Sequence, residues 1–169
     1  MRCGTPRGWC LSTSRIERVR TLEPNDLDRL VARSLEEEFR FVERLRHEYA
    51  SGQNRFERPG EVLLIARESQ TVIAVIGLNH DPYRQLGVMR VRRFYVLPEH
   101  RGTGLGQKML LQVIELARIA NTRILELSTD NPRASRFYEQ NGFEVVQAEH
   151  ATHRLSLRNL SFEAGSTRG

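Results

Sequence analysis

The stretch YVLPEHRGTGLGQKML, residues 95–110, leaves an apolar, strand-like segment, turns at Pro98, passes Gly102, Gly104 and Gly106, and enters a helical pattern without a break. A glycine lacks Cβ, so the chain can take positive φ there and bring successive backbone N–H groups against a ligand. Leu105, Met109, Val113, Leu116 and Ala120 recur at spacings of three and four, and Leu110, Ile114 and Ala117 widen the stripe. This predicts an amphipathic helix over 105–120 that starts inside the glycine cluster. Its first N–H groups lack intrahelical partners and its dipole is positive at that end, which suits a phosphate or pyrophosphate. The competing reading is a helix start with flexible glycines and no ligand. Three glycines flanked by Arg101 and Lys108 exceed what a cap requires.

Three phosphate loops can be compared with it. A nucleoside-triphosphate loop places Lys and then Ser or Thr directly after its last glycine, whereas Gly106 is followed by Gln107, Lys108 and Met109. A dinucleotide fingerprint wants Gly-x-Gly-x-x-Gly directly after a strand, with an acidic residue about twenty positions on. Glu126 lies at that distance from Gly106, but the spacing here is Gly-x-Gly-x-Gly and Pro98 to Arg101 intervene. The third, the pyrophosphate loop of an acyl-coenzyme A binder, depends on the rest of the chain.

With 169 residues, 39% apolar and 28% charged, the chain fits one compact domain with a buried core. No apolar run approaches the ~18 residues of a membrane span. The basic start, MRCGTPRGWCLSTSR, lacks the apolar core of a secretory signal, so a cytoplasmic protein with no membrane partner is expected. Cys3 and Cys10 both fall in this leader, which argues against a structural disulfide or a metal site. Residues 1–14 are read as a loose tail, 15–160 as the domain and 161–169 as a C-terminal tail. The net charge is +5, and of 26 basic residues Lys108 alone is lysine. Arginine suits nucleic acid, but here the arginines are scattered among Glu36, Glu37, Glu38, Glu43 and Glu48. That is the pattern of a solvated surface, and no nucleic-acid partner is expected.

Along the chain, residues 16–22 read as a short strand, and Pro24, Asn25 and Asp26 suit a first helical turn. Helical spacing runs through Leu27, Leu30, Val31 and Leu35 and on through Phe39, Val42, Leu45 and Tyr49, as one broken helix or two. EVLLIARES and TVIAVIGLN predict a buried hairpin, and residues 88–96 a further strand. After the glycine loop and its helix come a strand in RILELSTD, a helix over 131–141 ended by Gly142, and strands in FEVV and HRLSLRNL. This order predicts a single α/β domain with a mixed sheet.

The order strand, Val-x-Pro-x-x-Arg-Gly-x-Gly-x-Gly, helix, strand, Asn-x-x-Ala-x-x-Phe-Tyr-x-x-x-Gly-Phe resembles the GNAT superfamily of N-acetyltransferases. Val96, Pro98, Arg101, Gly102, Gly104 and Gly106 match the first motif, and Asn131, Ala134, Phe137, Tyr138, Gly142 and Phe143 the second. The resemblance implies a mainly antiparallel sheet of six to seven strands flanked by about four helices. It also implies acetyl-coenzyme A, or a related acyl-coenzyme A, as donor and a primary amine as acceptor, in a monomer or homodimer without a metal. By that likeness the loop Arg101, Gly102, Thr103, Gly104, Leu105 and Gly106 holds the pyrophosphate. Phe94, Tyr95 and Val96 pair with the pantetheine amides as an added strand would. Asn131, Ala134, Phe137 and Tyr138 complete the donor site.

Tyr138 matches the residue assigned in the family as general acid to the departing thiolate, and a phenol with a reference pKa near 10 holds its proton at neutral pH. Many members carry an acidic residue six positions before the matching valine, where this chain has Arg90. Glu126 is then the candidate base, with His80, in the loop after the hairpin, behind it. Arg90 needs an anion, either Glu126 or a carboxylate on the acceptor. Arg84 and Arg90 together point to a carboxylate or phosphate there. The alternative to an enzyme is a module that binds acyl-coenzyme A without turnover.

Overall fold

The computed structural model describes residues 14–84 and 87–157; of the expected tails only Ser14 is among them. Seven strands form one sheet of order β1-β2-β3-β4-β5-β7-β6. They are β1 (Arg15–Arg18), β2 (Val62–Glu68), β3 (Thr71–His80), β4 (Val88–Val96), β5 (Ile124–Leu127), β6 (Glu144–Ala148) and β7 (Ala151–Ser156). Only β4 and β5 pair in parallel; the other neighbours are antiparallel. Four helices accompany the sheet: α1 (Asp28–Glu36), α2 (Phe41–Ala50), α3 (Leu105–Ile119) and α4 (Pro132–Gln140). The expected mixed, mainly antiparallel α/β fold is the one observed.

β3 is buried at every position from Val72 to Asn79. Side chains alternate across a strand, so both faces of the sheet centre are covered. α1 and α2 pack near β3 and β4, α3 packs across β2, β3 and β4, and α4 lies by β6. α3 buries Leu105, Met109, Leu110, Val113, Ile114 and Ala117, the stripe its spacing predicts. The helical run after Leu27 resolves into two helices, with Glu38 at φ +64° in the turn between them. Two expectations change: the first strand ends at Arg18 rather than at residue 22, and His80 is the last residue of β3 rather than part of the loop after it. Among the described residues, no helix is long and apolar enough to cross a membrane.

Candidate active site

Two features open a cleft at the middle of the sheet. β4 and β5 pair only at Val88–Ile124, Met89–Leu125 and Arg90–Glu126, although β4 continues to Val96. From Val91 onward the β4 edge therefore has no strand on that side. The second feature is a bulge: Val75 pairs with Tyr95 and Gly77 with Arg92, so Ile76 stands opposite both Arg93 and Phe94. Arg93 sits in the left-handed region at φ +57°, and a bulge of this kind bends the strand and re-aims its side chains. The resulting cleft encloses about 1070 Å³.

The glycine loop forms one wall. Gly104 is the N-cap of α3 at φ +85° with no side chain to cap the helix. The first helical bond at this end runs from the Lys108 N–H to the Gly104 carbonyl, 3.0 Å, which leaves the amides of Leu105, Gly106 and Gln107 without an intrahelical acceptor. A Cβ placed on Gly102 or Gly104 would meet nothing within 4 Å, whereas one on Gly106 would lie 3.5 Å from Phe94 and 3.7 Å from Val96. The loop is an open cradle of donors at a positive helix end, which fits a pyrophosphate.

Several side chains of this region have other tasks. The Arg101 guanidinium donates to both Glu37 oxygens at 2.7 Å and to the Val96 carbonyl at 2.9 Å. It lines the cleft but is held by α1, so its direct reading as a phosphate ligand is displaced by a bracing one. Hydrogen bonding from Arg101 lowers the Glu37 pKa, burial opposes this, and the bond from Tyr95 adds to the lowering. The Thr103 hydroxyl donates to the His100 carbonyl, and the Leu105 side chain is buried in the core, so what these two offer a ligand is backbone. Asn131 caps α4, its side-chain oxygen accepting from the N–H groups of Arg133 and Ala134.

Tyr138 projects from α4 into an aromatic cluster. Its ring lies 5.5 Å from Phe137, 5.5 Å from Phe143 and 6.4 Å from Phe94. It is 7% exposed and lines the cleft together with Ala134, Phe137 and Phe94 to Val96. Burial pushes its pKa well above the ordinary tyrosine value, and among the described residues no group bonds its hydroxyl. It is a buried phenol beside Phe94 on the free edge of β4, and the raised pKa favours its protonated form.

Glu126 is reassigned. It is 1% exposed, with Arg84 Nε at 3.2 Å from one oxygen and Arg154 Nε at 2.9 Å from the other. Burial pushes its pKa up, but the bonds from Arg154 and then Arg84 outweigh this and leave it below the ordinary value. A carboxylate so held is a weak proton acceptor, and Glu126 is absent from the cleft lining. His80 is likewise engaged, its Nε2 2.8 Å from the Pro59 carbonyl. Arg90 is opposite Glu126 in the β4–β5 ladder, but its side chain forms no ion pair with it: its Nε donates to Asp81 Oδ2 at 2.9 Å. Asp81 escaped the sequence reading because it lies beyond β3 in the following loop. The alternate arginines of MRVRRF, residues 89–94, a charged pattern on a central strand, are the signal that buried counter-ions exist.

A family model described as Acetyltransferase (GNAT) family matches residues 29–143. A crystal structure of a candidate acetyltransferase from Exiguobacterium sp. 255-15 is 30% identical with a TM-score of 0.77, covering 85% of this chain and 93% of its own. The PaiA N-acetyltransferase of Thermoplasma acidophilum, solved with coenzyme A, is 20% identical with a TM-score of 0.61 over 86% and 99% of the two chains. A Salmonella typhimurium protein, YncA, solved with acetyl-coenzyme A, is 17% identical with a TM-score of 0.59 over 88% and 96%. The latter two are likenesses of fold. No curated protein matches the chain significantly. By its matching family model and its 30% identical relative, the chain belongs to the GNAT acetyltransferase family.

Proposed function

We propose that the protein transfers an acetyl group from acetyl-coenzyme A to a primary amine by direct attack in a ternary complex. The observation that carries this reading is the free edge of β4 beside an uncapped helix N-terminus, with Tyr138 at their junction. In this reading the amides from Gly102 to Gln107 hold the pyrophosphate, and the Phe94–Val96 edge receives the pantetheine amides. The amine nitrogen attacks the thioester carbonyl carbon, and a backbone N–H from the bulged strand steadies the developing oxyanion by about 3 kcal/mol. The C–S bond then breaks, the thiolate takes the Tyr138 proton, and the amine gives its own proton to water.

A second reading, a module that binds acyl-coenzyme A without turnover, is favoured by one observation: Glu126 is held by two arginines and offers no base. Thiol release from acetyl-coenzyme A across a panel of amines separates the two. With an accepted amine, Tyr138→Phe is expected to retain acetyl-coenzyme A binding and to lower kcat about ten- to a thousandfold. Equal turnover of parent and variant over pH 6–9 removes Tyr138 from the chemistry; no thiol release with any amine favours the silent binder.

A further inference from the structure

Arg90, Arg92 and Arg93 stand within four residues of β4, and all three line the cleft. A guanidinium drawn out of water needs a counter-charge. Arg90 has Asp81, and Arg93 donates to both Glu48 oxygens at 2.8 Å. Arg92 differs from both. It is half-buried, yet no hydrogen bond or ion pair falls to its guanidinium among the described residues. Burial, and then the charge of Arg93, draw its pKa below the ordinary value against a weaker pull from Glu48.

The same cleft carries several aromatic side chains. The Tyr83 ring lies 5.7 Å from the Arg90 guanidinium carbon and stacks on His150 at 3.9 Å, and Phe39 and Phe41 add further lining. Along β4, Arg92 is two residues from Phe94, at most about 7 Å of chain, and Phe94 packs against Tyr138. An anion at Arg92 and an amine at the reaction point therefore fit within one small molecule. Since Asp81 and Glu48 each match one arginine, a single positive charge is left over. That favours a monoanion over a phosphate dianion.

We propose that Arg92 binds a carboxylate on the acceptor, so that the preferred substrates are amines bearing a carboxylate, such as amino acids. The proposal rests on the acetyltransferase reading of this cleft and adds to it the substrate class. A planar guanidinium fork holding a carboxylate by two parallel hydrogen bonds is the contact expected.

The test pairs amino acids with their amides, which share the amine and differ in the anion, and includes phosphoethanolamine. The parent protein is expected to favour the carboxylate of a pair by tenfold or more in kcat/KM, mostly through KM. In Arg92→Gln the ratio is expected to fall close to one, with Arg92→Lys between. A parent that uses amides as well as carboxylates, or a ratio unmoved by Arg92→Gln, overturns the proposal. A preference for phosphoethanolamine overturns the choice of a carboxylate. A second readout is independent of turnover: the Arg92 Nε–Hε resonance is expected to shift when N-acetylglycine is added and to stay in place with N-acetylglycinamide. If no amine is acetylated, the function proposed above fails, while this resonance still decides the anion site: no shift with N-acetylglycine overturns it.

Discussion

Asp81 is 6% exposed as a residue, and its carboxylate is fully enclosed beside Arg90. It also accepts the Tyr83 N–H at 2.8 Å, which ties the pair to the loop between β3 and β4. Two charges out of water are tolerated because each answers the other, and removing one leaves the other without compensation. Arg90→Ala is therefore expected to cost about 3–5 kcal/mol of stability, the range for breaking a buried pair from one side. The double change Arg90→Met with Asp81→Leu should cost less than the single one, since it leaves no buried charge. Urea denaturation of the three proteins checks this. An Arg90→Ala protein as stable as the parent would show that Asp81 is not the partner that matters. Tyr138 shows the same physics in a neutral group: burial holds the proton on the phenol, the state a general acid needs.

At the scale of elements, the site is a junction of a strand that leaves its neighbour and a helix that begins without a cap. Gly104 supplies the left-handed turn between them. Gly104→Val would strain the turn by about 1–2 kcal/mol and push a branched side chain into the open cradle that Gly102 and Gly104 leave. Acetyl-coenzyme A affinity is expected to fall tenfold or more in a protein that remains folded, and calorimetry can measure it. Unchanged affinity would remove the loop from pyrophosphate binding. These elements were legible in the sequence because their signals are local: the α3 stripe, the hairpin before β4, and the Asn-Pro start of α4 lie within single segments. The bulge at Arg93 was not, since it arises from the register of β4 against β3. Nor were the partners of the arginines. Arg101 meets Glu37, 64 positions away, and no periodicity carries that pairing. That Arg92 is the unmatched one depends on which carboxylates Arg90 and Arg93 reach in the fold, and the sequence does not carry those pairings.

Across the whole molecule, Glu126 is the point where the two halves of the sheet are tied. It stands in the last β4–β5 pair before the strands part, bonds Arg154 on β7, and bonds Arg84 in the loop after β3. Arg84 continues to the Glu149 carbonyl in the turn between β6 and β7. The sign of its pH dependence follows from the lowered pKa. A carboxylate whose folded pKa lies below its unfolded value of about 4.3 contributes stability above that value, and the contribution is lost as pH falls through the folded pKa. Glu37, lowered by Arg101, acts in the same direction. The parent protein is thus expected to lose stability from about pH 5 downward. Glu126→Gln keeps the shape and an acceptor oxygen but removes the charge. It should be weaker than the parent by about 1–3 kcal/mol at neutral pH, the cost of losing charge-assisted bonds. Because the variant has no proton to gain at this position, its acid limb should be shallower, and the two stability curves should approach each other as the parent's Glu126 becomes protonated. Urea denaturation at a series of pH values from 7 to 3 provides the measurement. Parallel curves would mean that Glu126 has the same affinity for protons folded and unfolded, and that the two-arginine clamp does not hold the sheet together at its opening.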